Sequence, residues 1–224
     1  MKKNLIAIAL ADLHINNWKP VNDYKNDRLL QCLRTLDIVG QRAKQLNVPI
    51  LFPGDLFHKP KALDNDVIEE FINYYRLYIE DLGNTFIAIS GNHDQSKKNT
   101  YDYKSPSYVK AFSNVFKSLK CIDGSIYTQK EFVVCGIPYL TFNKGLSRYM
   151  EFFKQQLKAE SRFKILLIHS DIPGATNNSG YELKESKRIP TNINKFFSDF
   201  DLVLAGHIHK PQQLGNKVFM LGSP

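Results

Sequence analysis

Six short apolar runs punctuate the chain, and most of them stop abruptly at a histidine or an aspartate. They are Asn4 to Leu10, Pro49 to Phe52, Thr85 to Ile89, Phe132 to Ile137, Lys164 to Ile168 and Leu202 to Ala205. Runs of this length are too short for helices, and their nearly continuous apolar character suits strands covered on both faces. The segments between them have a different period. From Asp27 to Asn47, Leu29, Leu30, Leu33, Leu36, Val39, Ala43 and Leu46 recur every three or four positions, with Asp27 as the expected cap. A second helix is expected near Asp64 to Leu82. Strands alternating with helices predict an α/β fold: one layered domain over residues 1–224, with mixed central β-sheets flanked by helices. Two polar stretches, Gln95 to Ser107 and Asp171 to Pro190, read as long loops, and long loops in compact domains are often functional.

Several classes are excluded by what the chain lacks. No stretch of roughly 18 uncharged apolar residues occurs, and the run behind Met1-Lys2-Lys3 soon meets Asp12 and His14, too polar for a signal peptide. A soluble, unexported protein with no membrane partner is expected. Cys32, Cys121 and Cys135 are odd in number and widely spaced, with no CxxC pair for zinc or redox work. The formal net charge of +8 suits a protein that approaches a polyanion.

All six histidines, His14, His58, His93, His169, His207 and His209, lie at or just past the end of an apolar run. In open α/β sheets those strand ends form the ligand-binding side, so the six are expected to converge. The clusters read Asp12-Leu13-His14, Gly54-Asp55-Leu56-Phe57-His58, Gly91-Asn92-His93-Asp94, His169, and Gly206-His207-Ile208-His209. Asp12/His14 and His207/His209 are i, i+2 pairs that share a side when extended. Imidazole, carboxylate and one carboxamide, without thiolate, suit Mn²⁺, Fe²⁺ or Zn²⁺ held for catalysis rather than a structural zinc knuckle. Glycine before Asp55, Asn92 and His207 permits tight turns and close approach.

In that order the clusters resemble the motifs of the calcineurin-like metallophosphoesterase superfamily, from about residue 5 to the C-terminus. The resemblance implies two divalent metal ions, with Mn²⁺ foremost and Mg²⁺, Fe²⁺ or Zn²⁺ as alternatives. It gives Asp12, His14, Asp55 and His209 to one ion and Asp55, Asn92, His169 and His207 to the other, with Asp55 bridging. A shared carboxylate offsets repulsion between dications about 3.5 to 4 Å apart. His93, next to a ligand, is by resemblance the residue that stabilises the transition state or protonates the leaving oxygen, and Asp94 is expected to orient it.

Gly54-Asp55-Leu56-Phe57-His58 and Gly91-Asn92-His93-Asp94 look like the DNA-repair nuclease branch, which includes SbcD-like enzymes and phage recombination exonuclease subunits. Protein Ser/Thr phosphatases typically show Asp-Arg-Gly after the second motif and Glu after the third motif's His, where this chain has His58-Lys59-Pro60 and Asp94. The resemblance implies a DNA nuclease, 3′-to-5′ exonuclease on duplexes and endonuclease on single strands, in which His58 places the DNA backbone. It also implies an SMC-like ATPase partner, dimerisation through helices near the first two motifs, and a bacterial cytoplasm or, for a phage protein, the host cytoplasm. His169-Ser170-Asp171-Ile172-Pro173 is similar to the phage-type subunits. Family nucleases continue past the strand at Gly222-Ser223-Pro224 into capping and ATPase-binding regions, which this chain is expected to lack. Lys97, Lys98, Lys104 and Lys110, interleaved with Tyr101, Tyr103 and Tyr108, could provide phosphate contacts and stacking surfaces, but a solvated loop is the favoured reading and these residues stay outside the expected site. Two other classes stay open: a phosphatase or phosphodiesterase of small nucleotides or phosphoproteins, and a non-catalytic binding subunit.

Overall fold

The computed structural model describes residues 5–18, 27–96, 105–141, 143–184 and 193–224. Its strands form two sheets. In the first, β1 (Ile8–Ala9), β2 (Ile50–Phe52), β3 (Phe86–Ala88) and β4 (Leu119–Cys121) lie parallel in that order, with Ile8 opposite Ile50 and Ile50 opposite Phe86. The second is mixed, in the order β5 (Ile126–Thr128), β6 (Phe132–Ile137), β7 (Phe163–His169), β8 (Leu202–Gly206), β10 (Val218–Met220), β9 (Gln212–Leu214). Its four inner strands are parallel, and β5 and β9 run antiparallel at the edges.

Alternation along each strand explains the layers, because successive side chains point to opposite faces. On β2, Ile50 and Phe52 pack outward with Leu33, Leu36 and Phe71, from α1 (Asp27–Leu46) and α2 (Asn65–Tyr75), and α3 (Tyr108–Ser113) adds Phe112. Leu51, between them, packs inward with Ile87, Ile165 and Leu167 from both sheets. On β7, Leu166 and Ile168 turn to the opposite outer layer, where α4 (Asn143–Gln156) supplies Phe153 and α5 (Ile193–Phe197) supplies Phe196. Both faces of both sheets are therefore covered, which is why the strands read as unbroken apolar runs. The expected layered α/β architecture is the one observed. Among the described residues no helix is long and apolar enough to cross a membrane.

The differences from expectation are local. Regular β1 is only two residues long, although Ile8 and Leu10 N–H groups donate to Pro49 and Leu51 carbonyls, so pairing reaches Leu10 before the chain turns. The second helix is α-helical only to Tyr75 and continues as a π-helical turn over Arg76–Glu80, closed by Asp81 N–H to the Arg76 carbonyl at 2.8 Å. The short β4, β5 and β9 and the helices α3, α4 and α5 were not anticipated. The last strand is Val218–Met220, not Gly222 to Pro224. Of the expected loops, residues 97–104 and 185–190 lie outside the described residues. The first loop is pinned at its base by a Gln95–Ser107 bridge and the second holds a Thr176–Glu182 bridge.

Where the π turn leaves the α-helical pattern, side chains take up main-chain groups. Asn84 donates to the carbonyls of Gly40 (2.9 Å) and Tyr78 (3.2 Å), and Glu80 accepts from the N–H groups of Lys117 (3.1 Å) and Ser118 (2.9 Å). Partial burial opposes ionisation of Glu80, but the Ser118 and Lys117 donors outweigh it and hold its carboxyl below the usual carboxylate range. Its stabilising effect is therefore present at neutral pH and lost as pH falls through that lowered range. Glu80→Gln should destabilise the fold by about 1 kcal/mol at neutral pH, below the usual value for a charged hydrogen bond because the group is largely solvated. Thermal melts over a pH series check this: the gap to the parent should close in acid, and a pH-independent gap would refute the assignment.

Candidate metal centre

Both sheets deliver side chains to one point beyond their strand ends. The four-stranded sheet supplies Asp12 and His14 after β1, Asp55 and His58 after β2, and Asn92, His93 and Asp94 after β3. The six-stranded sheet supplies His169, the last residue of β7, and His207 and His209 after β8. All seven expected metal ligands meet there. Asp12, His14 and His209 form one group with mutually close ligand atoms, and Asp55, His169 and His207 form another. The Nε2 atoms of His14 and His209 are 3.0 Å apart. In the other group Asn92 Oδ1 lies 3.0 Å from His169 Nε2 and 2.9 Å from His207 Nδ1. Asp55 Oδ2 stands between the groups, 3.3 Å from His169 Nε2 and 3.7 Å from His14 Nε2, as a bridging carboxylate must.

The backbone is strained to achieve this. Among the described residues five that are not glycine have positive φ, and four of them are Asp12 (54°), His14 (48°), Asp55 (57°) and His207 (94°). Such conformations are costly for residues with a Cβ and cluster at functional sites. Glycine makes room at the tightest points. Gly54 has φ of 93°, and a Cβ there would stand 2.5 Å from His169 Nδ1; a Cβ on Gly91 would stand 2.1 Å from Asp55 Oδ1.

Asp94 corrects an expectation. Its carboxylate does not orient the His93 ring; it is fully buried and accepts main-chain N–H bonds from Asp55 (2.9 Å), Leu56 (3.3 Å), Phe57 (3.0 Å) and Gly91 (2.9 Å). It is the clamp that fixes the turn presenting Asp55. The His93 ring is instead set by its Nδ1–H, which donates to the His58 carbonyl at 2.6 Å, while its main-chain N–H donates to Asp55 Oδ1 at 2.8 Å. Nε2 of His93 is thus the atom left for a substrate.

The donor set and its charges fit divalent cations. Nδ1 of His169 donates to the Pro53 carbonyl (2.8 Å), which leaves Nε2 facing Asn92 Oδ1 and Asp55 Oδ2; burial opposes protonation of this ring, but Asp55 and Asp12 outweigh it and push His169 up to about 9. The oxygens of Asn92 and Asp55 are thus met by positive charge, which a proton on His169 supplies and a divalent ion at its deprotonated Nε2 would supply in its place. Burial, chiefly, and then the neighbouring Asp55 push the Asp12 carboxyl up to about 7, so a bare carboxylate pair is unfavourable there. Burial, followed by the surrounding histidines His93, His209 and His58, pushes His14 down to about 3 and keeps its ring neutral for ligation. For Asp55, burial opposes ionisation, but His169 and His14 outweigh it and hold the carboxyl low.

His58 also lies in the site. Its Nδ1 is 3.4 Å from His14 Nδ1, so with His14 protonated there the Nε2 of His14 is presented to a metal. Burial and then His93 lower the His58 pKa, which suits an acceptor. One functional candidate was missed as a site residue: Asp171 Oδ1 is 3.2 Å from His207 Nε2, on the far side of the ring from Asn92. Its only sequence signal was its place two residues after His169. Lys110 and Tyr108, weighed for a nucleic-acid surface but left outside the expected site, are engaged elsewhere: Lys110 pairs with Asp123 at 3.5 Å, and the Tyr108 ring packs on Phe57. Lys97, Lys98, Tyr101, Tyr103 and Lys104 lie outside the described residues.

Comparison with known proteins gives the same outline. The sequence model described as Calcineurin-like phosphoesterase matches residues 7–211. An uncharacterized protein, R555, of Acanthamoeba polyphaga mimivirus is 24% identical over 210 residues, which is 92% of this chain but only 15% of that protein. Among solved structures, a dimetal phosphatase from Danio rerio superposes with a TM-score of 0.60 at 9% identity, covering 97% of this chain and 87% of that one. The calcineurin-like phosphoesterase YfkN from Bacillus subtilis superposes at 0.50 with 14% identity, covering 97% and 80%. At such identities the structural likeness speaks for the fold.

Two substitutions separate the roles assigned here. Asp94→Ala leaves several buried N–H groups without an acceptor and should cost at least about 3 kcal/mol, read as a large fall in melting temperature; an unchanged melt would contradict the clamp. Asp171→Asn should weaken binding of Mn²⁺ or Zn²⁺ by about 10- to 100-fold with little loss of stability, the usual effect of removing a carboxylate behind a ligating histidine. Calorimetric titration measures it, and unaltered affinity would remove Asp171 from the centre.

Proposed function

Because the chain belongs to the calcineurin-like phosphoesterase family, a metal-dependent phosphoester hydrolase, we propose that it is a two-metal DNA nuclease that hydrolyses phosphodiester bonds. The observation that carries this reading is the placement of His58. It stands beside His93, their rings stacked at 5.1 Å, at the position where the nuclease-like motif puts a backbone-placing histidine. The net charge of +8 supports a polyanionic substrate.

Two divalent ions, Mn²⁺ in this proposal, would be held by Asp12, His14, Asp55 and His209 and by Asp55, Asn92, His169 and His207. Bound there, they supply Lewis-acid polarisation of the phosphoryl group and acidify the attacking water. The chain's own residues do the rest. The His58 carbonyl fixes the His93 ring through Nδ1, so that Nε2 of His93 delivers a proton to the departing oxygen. The His58 ring steadies His14 and bounds the space where the sugar-phosphate backbone passes. Asp171 holds His207 against rotation. In this proposal the partners are DNA and an SMC-like ATPase that controls access to duplex ends, in recombination, repair or phage DNA processing.

End-labelled duplex and single-stranded DNA incubated with Mn²⁺, Mg²⁺ or EDTA, resolved on a sequencing gel, tests the reading. Cleavage should require metal, be strongest in Mn²⁺, and fall by about 10²-fold or more in His93→Ala, the usual loss for a general acid. Intact DNA in every lane, with small phosphodiesters hydrolysed, would replace the nuclease by an enzyme of small nucleotides.

A further inference from the structure

A cavity of 420 Å³ opens beside His14, His58, His93 and His209, and its outer part, beyond these four rings, has no role in the hydrolysis described above. Its outer wall is the first half of α1, through Arg28, Gln31 and Thr35, and Trp18, Ser223 and Pro224 are among the residues that line it elsewhere. Trp18 is the chain's sole tryptophan. Its ring lies 4.3 Å from that of His58, and His58 in turn stacks on His93 at 5.1 Å and 19° between planes. The Arg28 guanidinium carbon sits 4.9 Å from the centre of the Trp18 ring. A chain of contacts, stacked between His93 and His58 and tilted by 46° between His58 and Trp18, thus runs from the residue facing the reaction to an indole and a planar cation in a side cavity.

The lining chemistry narrows the occupant. Beside the four imidazoles, the described lining residues offer an indole, a guanidinium, an amide, a thiol and two hydroxyls, and no aspartate or glutamate side chain. The volume falls within the roughly 300–1,000 Å³ of small-molecule sites, so it suits one compact group rather than a stretch of duplex. For a phosphate at the candidate ligands, this cavity is the space that lies on the His14 and His209 side. A planar, uncharged ring on an anionic stem matches it, because indole and guanidinium both stack on nucleobases without regard to sequence.

We propose that this cavity binds the nucleoside next to the scissile phosphate, unpaired, with its base held against Trp18 and Arg28. The inference rests on the phosphodiesterase reading for the position of the phosphate, but not on the substrate being a polymer. It makes Trp18 and Arg28 specificity residues, and it makes His58 the contact through which an occupied base site is felt at His93. Duplex ends would have to fray before cleavage.

The sole tryptophan supplies its own reporter. The metal-loaded full chain is titrated with dAMP, with deoxyribose 5-phosphate and with inorganic phosphate, following tryptophan emission and, in parallel, heat. dAMP should change the emission and bind about 10-fold more tightly than the abasic sugar phosphate, as expected for one stacked base. Arg28→Ala, an exposed helical position that keeps the reporter, should narrow that preference to about threefold. By heat, Trp18→Leu should abolish the preference and Trp18→Phe should restore most of it. Equal binding of dAMP and deoxyribose 5-phosphate, or emission that inorganic phosphate alters as much as dAMP does, overturns the proposal. DNA cleavage without base preference would sink the base site and spare the nuclease; base preference with DNA left intact would do the reverse.

Discussion

Three carboxylates, Asp12, Asp55 and Asp94, are buried within one neighbourhood, and none of the ion pairs among the described residues brings a lysine or arginine to them. Burying such charges unpaired is prohibitively costly, so every surrounding feature can be read as a response. Asp94 is satisfied by four main-chain N–H groups, which forces the chain at Asp55 into a tight turn. Asp12 accepts the His207 N–H at 3.0 Å, which ties the end of β1 to the end of β8. Asp55 retains one oxygen for the His93 N–H and turns the other toward two imidazoles. What these donors leave unbalanced is the negative charge that a pair of divalent ions would neutralise.

Much of this was legible in the sequence because the requirement is chemical. Ligand types, their order and their position after apolar runs follow from what metals and strands demand, and all seven proposed ligands converge. Asp94 was misjudged for an instructive reason. A carboxylate beside a histidine suggests a side-chain pair, and nothing in sequence reveals that the turn between Gly91 and Asp94 points it at the main chain of a segment 39 residues earlier. Asp171 was similarly obscure, since its partner His207 arrives from another strand. The short helices α3 and α5 and the strands β4, β5 and β9 span three to six residues each, too few for a period to show. The long helix α4 was hidden by its polar outer face, although Leu146, Tyr149, Met150 and Phe153 keep helical spacing.

The left-handed backbone at Asp12, His14, Asp55 and His207 sets local preference against function. On conformational grounds glycine or asparagine would sit more comfortably at each position. The surrounding layers over-determine these residues: Leu10, Leu13, Ile15, Leu56 and Phe57, on either side of the strained positions, are all buried in the core. Stability of the apolar layers is thus what permits a stiff, unfavourable arrangement of ligands at their rim, which in turn limits the reorganisation needed when substrate binds.

The candidate ligands come from both sheets, and that division reaches beyond chemistry. Asp12, His14, Asp55 and Asn92 belong to one sheet and His169, His207 and His209 to the other, so each bound ion would rivet the two halves across their common apolar seam. Ion binding would then be linked to folding: an ion held from both sheets would stabilise the folded state by an amount set by its affinity and its free concentration. Metal supply would govern the chain's lifetime against proteolysis as well as its turnover.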